Sequence, residues 1–273
     1  MEKLKKLTID EIKKYSLAIL DDIVRVCSEL KLQYFLDSGT LLGAVRHNGF
    51  IPWDDDIDIC MPRPDYEIFI KNYNKLCDKR LYCLALNNSR EYFFPFAKVY
   101  DKRTIKIENG KMINWNKLSI DIFPLDAYPI EQQEAENFHN KQIELLDKYE
   151  YYKGWGFADT RKLGKEGKVK AQIAQRLLTR FYSKRVNNHA KKNEYTIAKS
   201  IGIITCMYYS KKLRNFNKEL YTPLLHKFEN KEYIIPSGFD VILKNYYGNY
   251  LELPPPEKRV STHGIDVYLE REE

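Results

Sequence analysis

Apolar residues recur at helical spacing from the start of the chain: Ile9, Ile12, Leu17, Leu20, Ile23, Val24, Cys27 and Leu30 share one face. Thr8-Ile9-Asp10-Glu11 ahead of them has the form of a capping box, so the first helix is expected from about Thr8 to Leu30. Tyr34-Phe35-Leu36-Asp37 reads as a strand entering a Gly39-Thr40 turn, with a short helix from Leu41 to Arg46 before an Asn48-Gly49 turn. Over residues 54–60 the period becomes two, which sets Asp54, Asp56 and Asp58 on one face of a strand and Asp55, Ile57 and Ile59 on the other. Pro62 and Pro64 stop that strand, and Asp65 to Leu76 reads as helix. Leu81 to Leu86, Pro95 to Tyr100 and Leu118 to Phe123 are the next strands, followed by helix from Glu131 to Tyr152.

Lys153-Gly154-Trp155-Gly156-Phe157, running on to Gly164 and Gly167, reads as a flexible loop. It divides the chain into a core over residues 1–152 and a mostly helical, basic extension and tail over 153–273. In the extension Val169, Ile173, Leu177, Leu178 and Phe181 lie on one helical face, with Lys170, Arg176, Arg180 and Lys184 largely around the other. Core packing and a membrane surface explain such a stripe equally well. Pro254-Pro255-Pro256 is a stiff connector to the tail.

Composition narrows the class. At 273 residues the chain can bury a sizeable core. Its five cysteines are odd in number and form no C-x-x-C pair, which argues against a disulfide framework or a zinc site and fits a reducing cytoplasm. The start, Met1 to Lys6, has no apolar run behind it, and Ile201 to Tyr209 falls short of the ~20 residues that a spanning helix needs. Neither export nor membrane insertion is expected. Net charge is +7, but residues 161–214 hold fifteen Lys or Arg against Glu166 and Glu194. That imbalance points to an anionic partner, or else to a merely soluble helical face.

Three carboxylates on one face repel one another unless a cation neutralises them, and hard oxygen ligands select Mg2+ or Mn2+. Asp56 and Asp58 can each offer oxygen to the same pair of ions, which suits phosphate chemistry; the bland alternative is a solvated acidic turn. Asp121, between Ile120 and Ile122, is the best candidate for a third carboxylate on a neighbouring strand, to ligate metal and accept a hydroxyl proton, with a strand-end cap as the other reading. Gly39 and Thr40 sit where backbone approaches phosphate. Arg46 suits bidentate contact to phosphate or to Asp54 or Asp55. His47 joins that site or is a structural histidine, and Lys98 neutralises transferred phosphate or is a surface lysine. Trp53 and Asp54 are supporting candidates.

The string from Gly39 to Ile59, GTLLGAVRHNGFIPWDDDIDI, resembles the signature of the LicD family, cholinephosphotransferases of bacterial cell-surface glycans distantly related to fukutin-type ribitol-phosphate transferases. Similarity continues through Phe94 to Tyr100 and Ser119 to Asp126, and weakly into Tyr247 to Tyr250 and Pro255 to Val260. The resemblance implies an α/β (α+β) nucleotidyltransferase-like core with a small mixed sheet, a largely helical C-terminal extension, and Asp121 as third aspartate. It also implies transfer of phosphocholine from CDP-choline to a hydroxyl of a lipid-linked glycan precursor, such as a teichoic acid, capsule or lipopolysaccharide repeat, with release of CMP. The enzyme would work in the cytoplasm, at the inner face of the plasma membrane, with no nucleic-acid partner.

Rival readings are transfer from another CDP-alcohol (ribitol or glycerol), true nucleotidyl transfer, and a non-enzymatic protein that binds anionic surfaces. Choline calls for an aromatic box, for which Trp53, Trp115, Trp155 and Phe157 are candidates. The tail departs from the family pattern at Asn249, where an acid is usual, and at Thr262-His263, where two histidines are.

Overall fold

The computed structural model describes residues 4–108, 111–112, 117–155, 164–206, 212–260 and 265–270. Trp115, Phe157, Thr262-His263 and, in the basic run, Arg161, Lys162 and Lys211 lie outside them.

After a short strand β1 (Leu4–Lys6), helix α1 (Ile9–Leu30) starts at the expected capping box: Thr8 Oγ1 accepts from the Glu11 amide, and the Glu11 carboxylate accepts from the Thr8 amide at 2.9 Å. Ile12, Ile19, Leu20, Ile23 and Val26 are buried, and Lys31 closes the helix in the left-handed region at φ 56°. Strand β2 (Phe35–Leu36) leads into α2 (Ser38–His47), so Gly39 and Thr40 are in the first turn of a helix and not in a turn before it. Asn48 ends α2 with φ 54°.

Strand β3 (Asp58–Pro62) is shorter than the alternation implied. Residues 54–57 are not strand, because local bonds hold them: the Asp54 amide donates to Ile51 O at 2.9 Å and the Asp55 amide to Asp54 Oδ1 at 3.2 Å. Side chains that bond the backbone locally compete with a strand ladder. Asp54, Asp56 and Asp58 are therefore not one face of a strand. Helix α3 (Arg63–Leu76) follows with Pro64 in its first turn, where the missing amide costs nothing.

Strands β4 (Leu81–Leu84), β5 (Ala97–Asp101), β6 (Thr104–Glu108), β7 (Lys111–Met112) and β8 (Ser119–Ala127) come next. Helix α4 (Gln132–Trp155) and α5 (Lys165–Ala190) pack against each other as a hairpin. The expected loop at residues 153–155 is helix: Lys153 Nζ bonds Glu150 at 2.9 Å, and Gln175 of α5 donates to Lys153 O at 2.9 Å. The remainder is not only helical. It comprises β9 (Ser200–Gly202), β10 (Phe216–Asn217), β11 (Pro223–Phe228), β12 (Lys231–Pro236), α6 (Phe239–Tyr247) and β13 (Ile265–Glu270).

Strand β8 organises a seven-stranded mixed sheet. One edge pairs in parallel with β3, which pairs antiparallel with β2. The other edge is shared in succession by β5 over Ser119–Ile122 and by β9 over Asp126–Ala127, both antiparallel. Strand β4 extends β5, and β10 extends β9. A second sheet, in the order β1-β13-β6-β7, joins the two chain ends, and β11-β12 is a hairpin.

The main core lies between the large sheet, α1 and α3 and includes Phe35, Ile59, Phe69, Val99, Ile120 and Ile122. A smaller cluster, including Tyr128, Phe138, Leu146, Tyr149 and Val186, holds the α4–α5 hairpin. A buried ion pair links the two: Arg63 donates to both oxygens of Asp126 at 2.6 Å and to Asn187 Oδ1 of α5 at 3.1 Å. Cys27, Cys60, Cys77 and Cys83 form no disulfide, and all of them but Cys77 are buried.

Candidate active site

Asp58 opens β3 and stands opposite Asp121 on parallel β8, and Asp121 stands opposite Lys98 on antiparallel β5. Residues directly across adjacent strands project from the same face, so the sheet sets Asp58, Asp121 and Lys98 in one row. Lys98 Nζ donates to Asp121 Oδ1 at 2.5 Å and to Oδ2 at 2.7 Å, and lies 5.2 Å from the Phe94 ring and 5.3 Å from the Phe96 ring. Ion pair and rings together fix the ammonium beside the carboxylates.

Asp54, Asp55 and Asp56 bring one oxygen each to within 4.8 Å of one another. Loss of water, then the charges of Asp56 and Asp121, raise the Asp58 carboxyl well above its usual value. Asp54 is pushed up to about 7 by burial, then by the charge of Asp56. The sequence placed metal on Asp56, Asp58 and Asp121; among the described residues the carboxylate oxygens that close together are those of Asp54, Asp55 and Asp56, with Asp58 near Asp56 and Asp121. Such an all-oxygen, mutually repelling set fits hard divalent cations.

Helix α2 backs this cluster. An ideal Cβ on Gly39 would come 2.9 Å from Asp54 Oδ2, so only glycine leaves room for that carboxylate against the first turn. Thr40 is buried, and its hydroxyl accepts the Asp58 amide at 2.9 Å, tying α2 to the start of β3. Among the described residues Arg46 bonds His47 and the tail rather than Asp54 or Asp55. Its Nη1 donates to Tyr250 O at 2.8 Å and its Nε to His47 Nε2 at 2.9 Å, which ties α2 to the tail. Burial, then Arg46, lowers the His47 imidazole, and its ring meets Trp53 edge-on at 6.4 Å.

Three further groups border the site that sequence reasoning did not assign. Asp37 is buried and pushed up to about 6 by loss of water, an effect reduced by the Ser38 hydroxyl bond at 2.7 Å and by the charge of Arg214. Among the described residues its Oδ1 has no hydrogen-bond partner. Arg214 lies over the Tyr246 ring at 4.2 Å. The Tyr247 hydroxyl is raised by loss of water and then by Asp37 and Asp58, so α6 reaches the carboxylates too. Arg214 was hidden at the end of a basic run, and Tyr247 in the faint tail similarity.

Residues 31–157 match the LicD/FKTN/FKRP nucleotidyltransferase domain. Over 97% of this chain and 100% of its own length, the lipopolysaccharide cholinephosphotransferase LicD of Haemophilus influenzae is 31% identical. An uncharacterized protein of Rickettsia prowazekii is 30% identical over 151 residues, 55% of this chain and 52% of that one. Another, from Rickettsia typhi, is 44% identical over 62 residues, 22% of this chain and 20% of that one. Similarity along nearly the whole chain, with the carboxylate sheet inside the matched domain, means that the chain belongs to the LicD family.

Proposed function

We propose that this protein transfers phosphocholine from CDP-choline to a hydroxyl of a cell-surface glycan precursor, releasing CMP, on the cytoplasmic side of the membrane. The observation that carries the reading is the row Asp58-Asp121-Lys98 beside the Asp54-Asp55-Asp56 cluster, within a chain whose full-length relative is a lipopolysaccharide cholinephosphotransferase. The acceptor class, whether teichoic acid, capsule or lipopolysaccharide repeat, follows the same family logic.

Asp56, Asp58 and Asp121, supported by Asp54, would hold Mg2+ or Mn2+, which supplies charge neutralisation on the donor pyrophosphate and the developing oxyanion. The chain's own groups do the remainder. The acceptor oxygen forms a new bond to the choline-bearing phosphorus, the bond from that phosphorus to the CMP oxygen breaks, and the acceptor proton passes to the Asp121 carboxylate. Lys98, bonded to both Asp121 oxygens, fixes that carboxylate and offers positive charge to the transferred group. Arg214, beside Asp37, supplies a second fixed cation at the border of the site. Thr40 and Gly39 hold Asp58 and Asp54 in place, while Arg46 and His47 brace α2 against the tail.

The test is incubation of the protein with CDP-choline, CDP-ribitol and CDP-glycerol in turn, with Mg2+ or Mn2+ and a glycan acceptor, followed by mass analysis. Choline-dependent CMP release with a phosphocholine mass added to the acceptor supports the reading. Turnover of ribitol or glycerol donors alone would replace choline, and CMP attached to the acceptor would mean nucleotidyl transfer.

A further inference from the structure

Helix α5 packs through Thr179, Ser183, Val186, Asn187, His189 and Ala190, which are buried. The outward face of such a helix is ordinarily polar. Here Val169, Ile173, Leu177 and Phe181, spaced four residues apart, are 54%, 53%, 65% and 50% exposed. The stripe therefore does not serve the core. Twelve residue-to-residue steps of helix, from Val169 to Phe181, extend it over roughly 18 Å. Tyr151 of α4, 62% exposed, adjoins it through a chain of rings: Tyr151 meets Tyr152, Tyr152 stacks on Tyr182, and Tyr182 meets Phe181, each at 5.1 Å.

The charges on this helix are nearly all positive. Helix α5 carries seven Lys or Arg against Glu166. Lys168, Lys170, Arg176, Lys184 and Arg185 are exposed, and the Arg185 guanidinium lies 5.6 Å from the Phe181 ring centre. At helical spacing Arg176 falls to one side of the apolar line and Lys170 and Arg185 to the other, while Lys184 follows Phe181 at its end. Long basic side chains flanking apolar ones on a convex helix suit a flat, negatively charged, apolar-cored partner.

We propose that this face of α5 seats the protein on an anionic lipid surface. Val169, Ile173, Leu177 and Phe181 enter the boundary between headgroups and acyl chains, and the basic side chains on either side contact lipid phosphates. Among the described residues no helix is long and apolar enough to cross a membrane, so the contact is peripheral. The proposal goes beyond the phosphocholine reading and does not depend on it, because vesicle binding is measured without turnover.

The experiment is co-sedimentation of the whole chain with vesicles of phosphatidylcholine alone or mixed with phosphatidylglycerol. Three forms are compared: the native chain, Ile173→Gln/Leu177→Gln/Phe181→Ser, and Lys170→Gln/Arg176→Gln/Lys184→Gln/Arg185→Gln. All the substituted side chains are exposed, so circular dichroism and melting should match the native chain. In addition, Leu177→Trp reports insertion by the colour of its emission, read as the difference from the native chain. The native chain should bind the anionic vesicles and not the neutral ones. Each multiple variant should bind at least about tenfold more weakly, and the emission of the introduced tryptophan should shift to the blue on anionic vesicles. Native binding equal on both vesicles, binding unchanged in the apolar-to-polar variant, or no emission shift would overturn the proposal. So would a native dimer that the apolar-to-polar variant converts to monomer, since a second copy would then cover the stripe.

Discussion

Asp58 and Asp121 are register partners on the only parallel strand pair among the described residues, so two carboxylates distant in sequence project side by side from one sheet face. Their nearness depends on the backbone ladder and not on a flexible loop, and Asp121 is in turn held by Lys98. A site built across three strands keeps its spacing whether or not a ligand is bound.

Replacing Asp58 or Asp121 with Asn should reduce turnover by at least ~10²-fold, the loss typical when charge aimed at a transition state is removed. The Asp58 variant should also melt higher than the native protein without metal, because loss of water and the charges of Asp56 and Asp121 already disfavour its ionised form. Steady-state CMP release and thermal melting on the same preparations measure both effects. Near-native turnover in either variant would remove that residue from the mechanism.

Metal-free protein should lose stability as pH rises from about 4 to about 7. Asp37 and Asp54 have folded-state values raised to about 6 and about 7, so within that window the folded protein holds more protons than the unfolded chain. Stability present at low pH is then lost as each group ionises, on the order of a few kcal/mol at ~1.4 kcal/mol per pH unit. Mg2+ or Mn2+ should restore the melting temperature at pH near 8 and flatten the slope, since a bound dication favours ionised carboxylates. Scanning fluorimetry across pH, with and without metal, decides it; a melting temperature that climbs over this range without metal would contradict the shifts.

Much of this arrangement was legible in the chain because short-range chemistry wrote it. Thr8 and Glu11 mark the start of α1, Pro62 marks the end of β3, and Ile-Asp-Ile around Asp121 marks a strand. Residues 54–57 misled because alternation of apolar and acidic residues cannot reveal that Asp54 bonds its own neighbour's amide. The link from Arg46 to the tail was hidden because it runs to backbone carbonyls at Tyr250 and Glu252, which have no side-chain signature. Similarly, Asp37, Arg214 and Tyr247 meet only through tertiary packing, and the exposure of Leu177 could not be separated from core packing by periodicity alone.

Arg63→Met should destabilise the protein by ~3–5 kcal/mol, the range for leaving a buried charge unpaired, here Asp126. Burial alone would raise that carboxyl, and Arg63 opposes the rise. Adding Asp126→Leu to Arg63→Met should recover a large part of the loss, since no lone charge then remains. Denaturant melts of the native, single and double variants form the necessary cycle; a single variant within about 1 kcal/mol of native would mean that water or Lys191 replaces Arg63.

Gly39→Ala and Gly43→Ala should fail in opposite ways, although the two glycines lie one helical turn apart on α2. At Gly39 a Cβ would press on Asp54 Oδ2 at 2.9 Å, the free end of a side chain that can swing aside. The helix itself gains ~0.5–1 kcal/mol from alanine, so stability should hold or rise while Asp54 is displaced and turnover falls at least several-fold. At Gly43 the Cβ would meet Gly49 O at 2.5 Å and Ile51 N at 3.2 Å, both backbone atoms of the segment leading to the aspartates. That segment cannot yield without moving, so Gly43→Ala should melt well below native. Melting curves and CMP release for both variants are the check. A Gly39→Ala protein with native turnover would show that Asp54 does not need its place beside α2, and would remove it from the site.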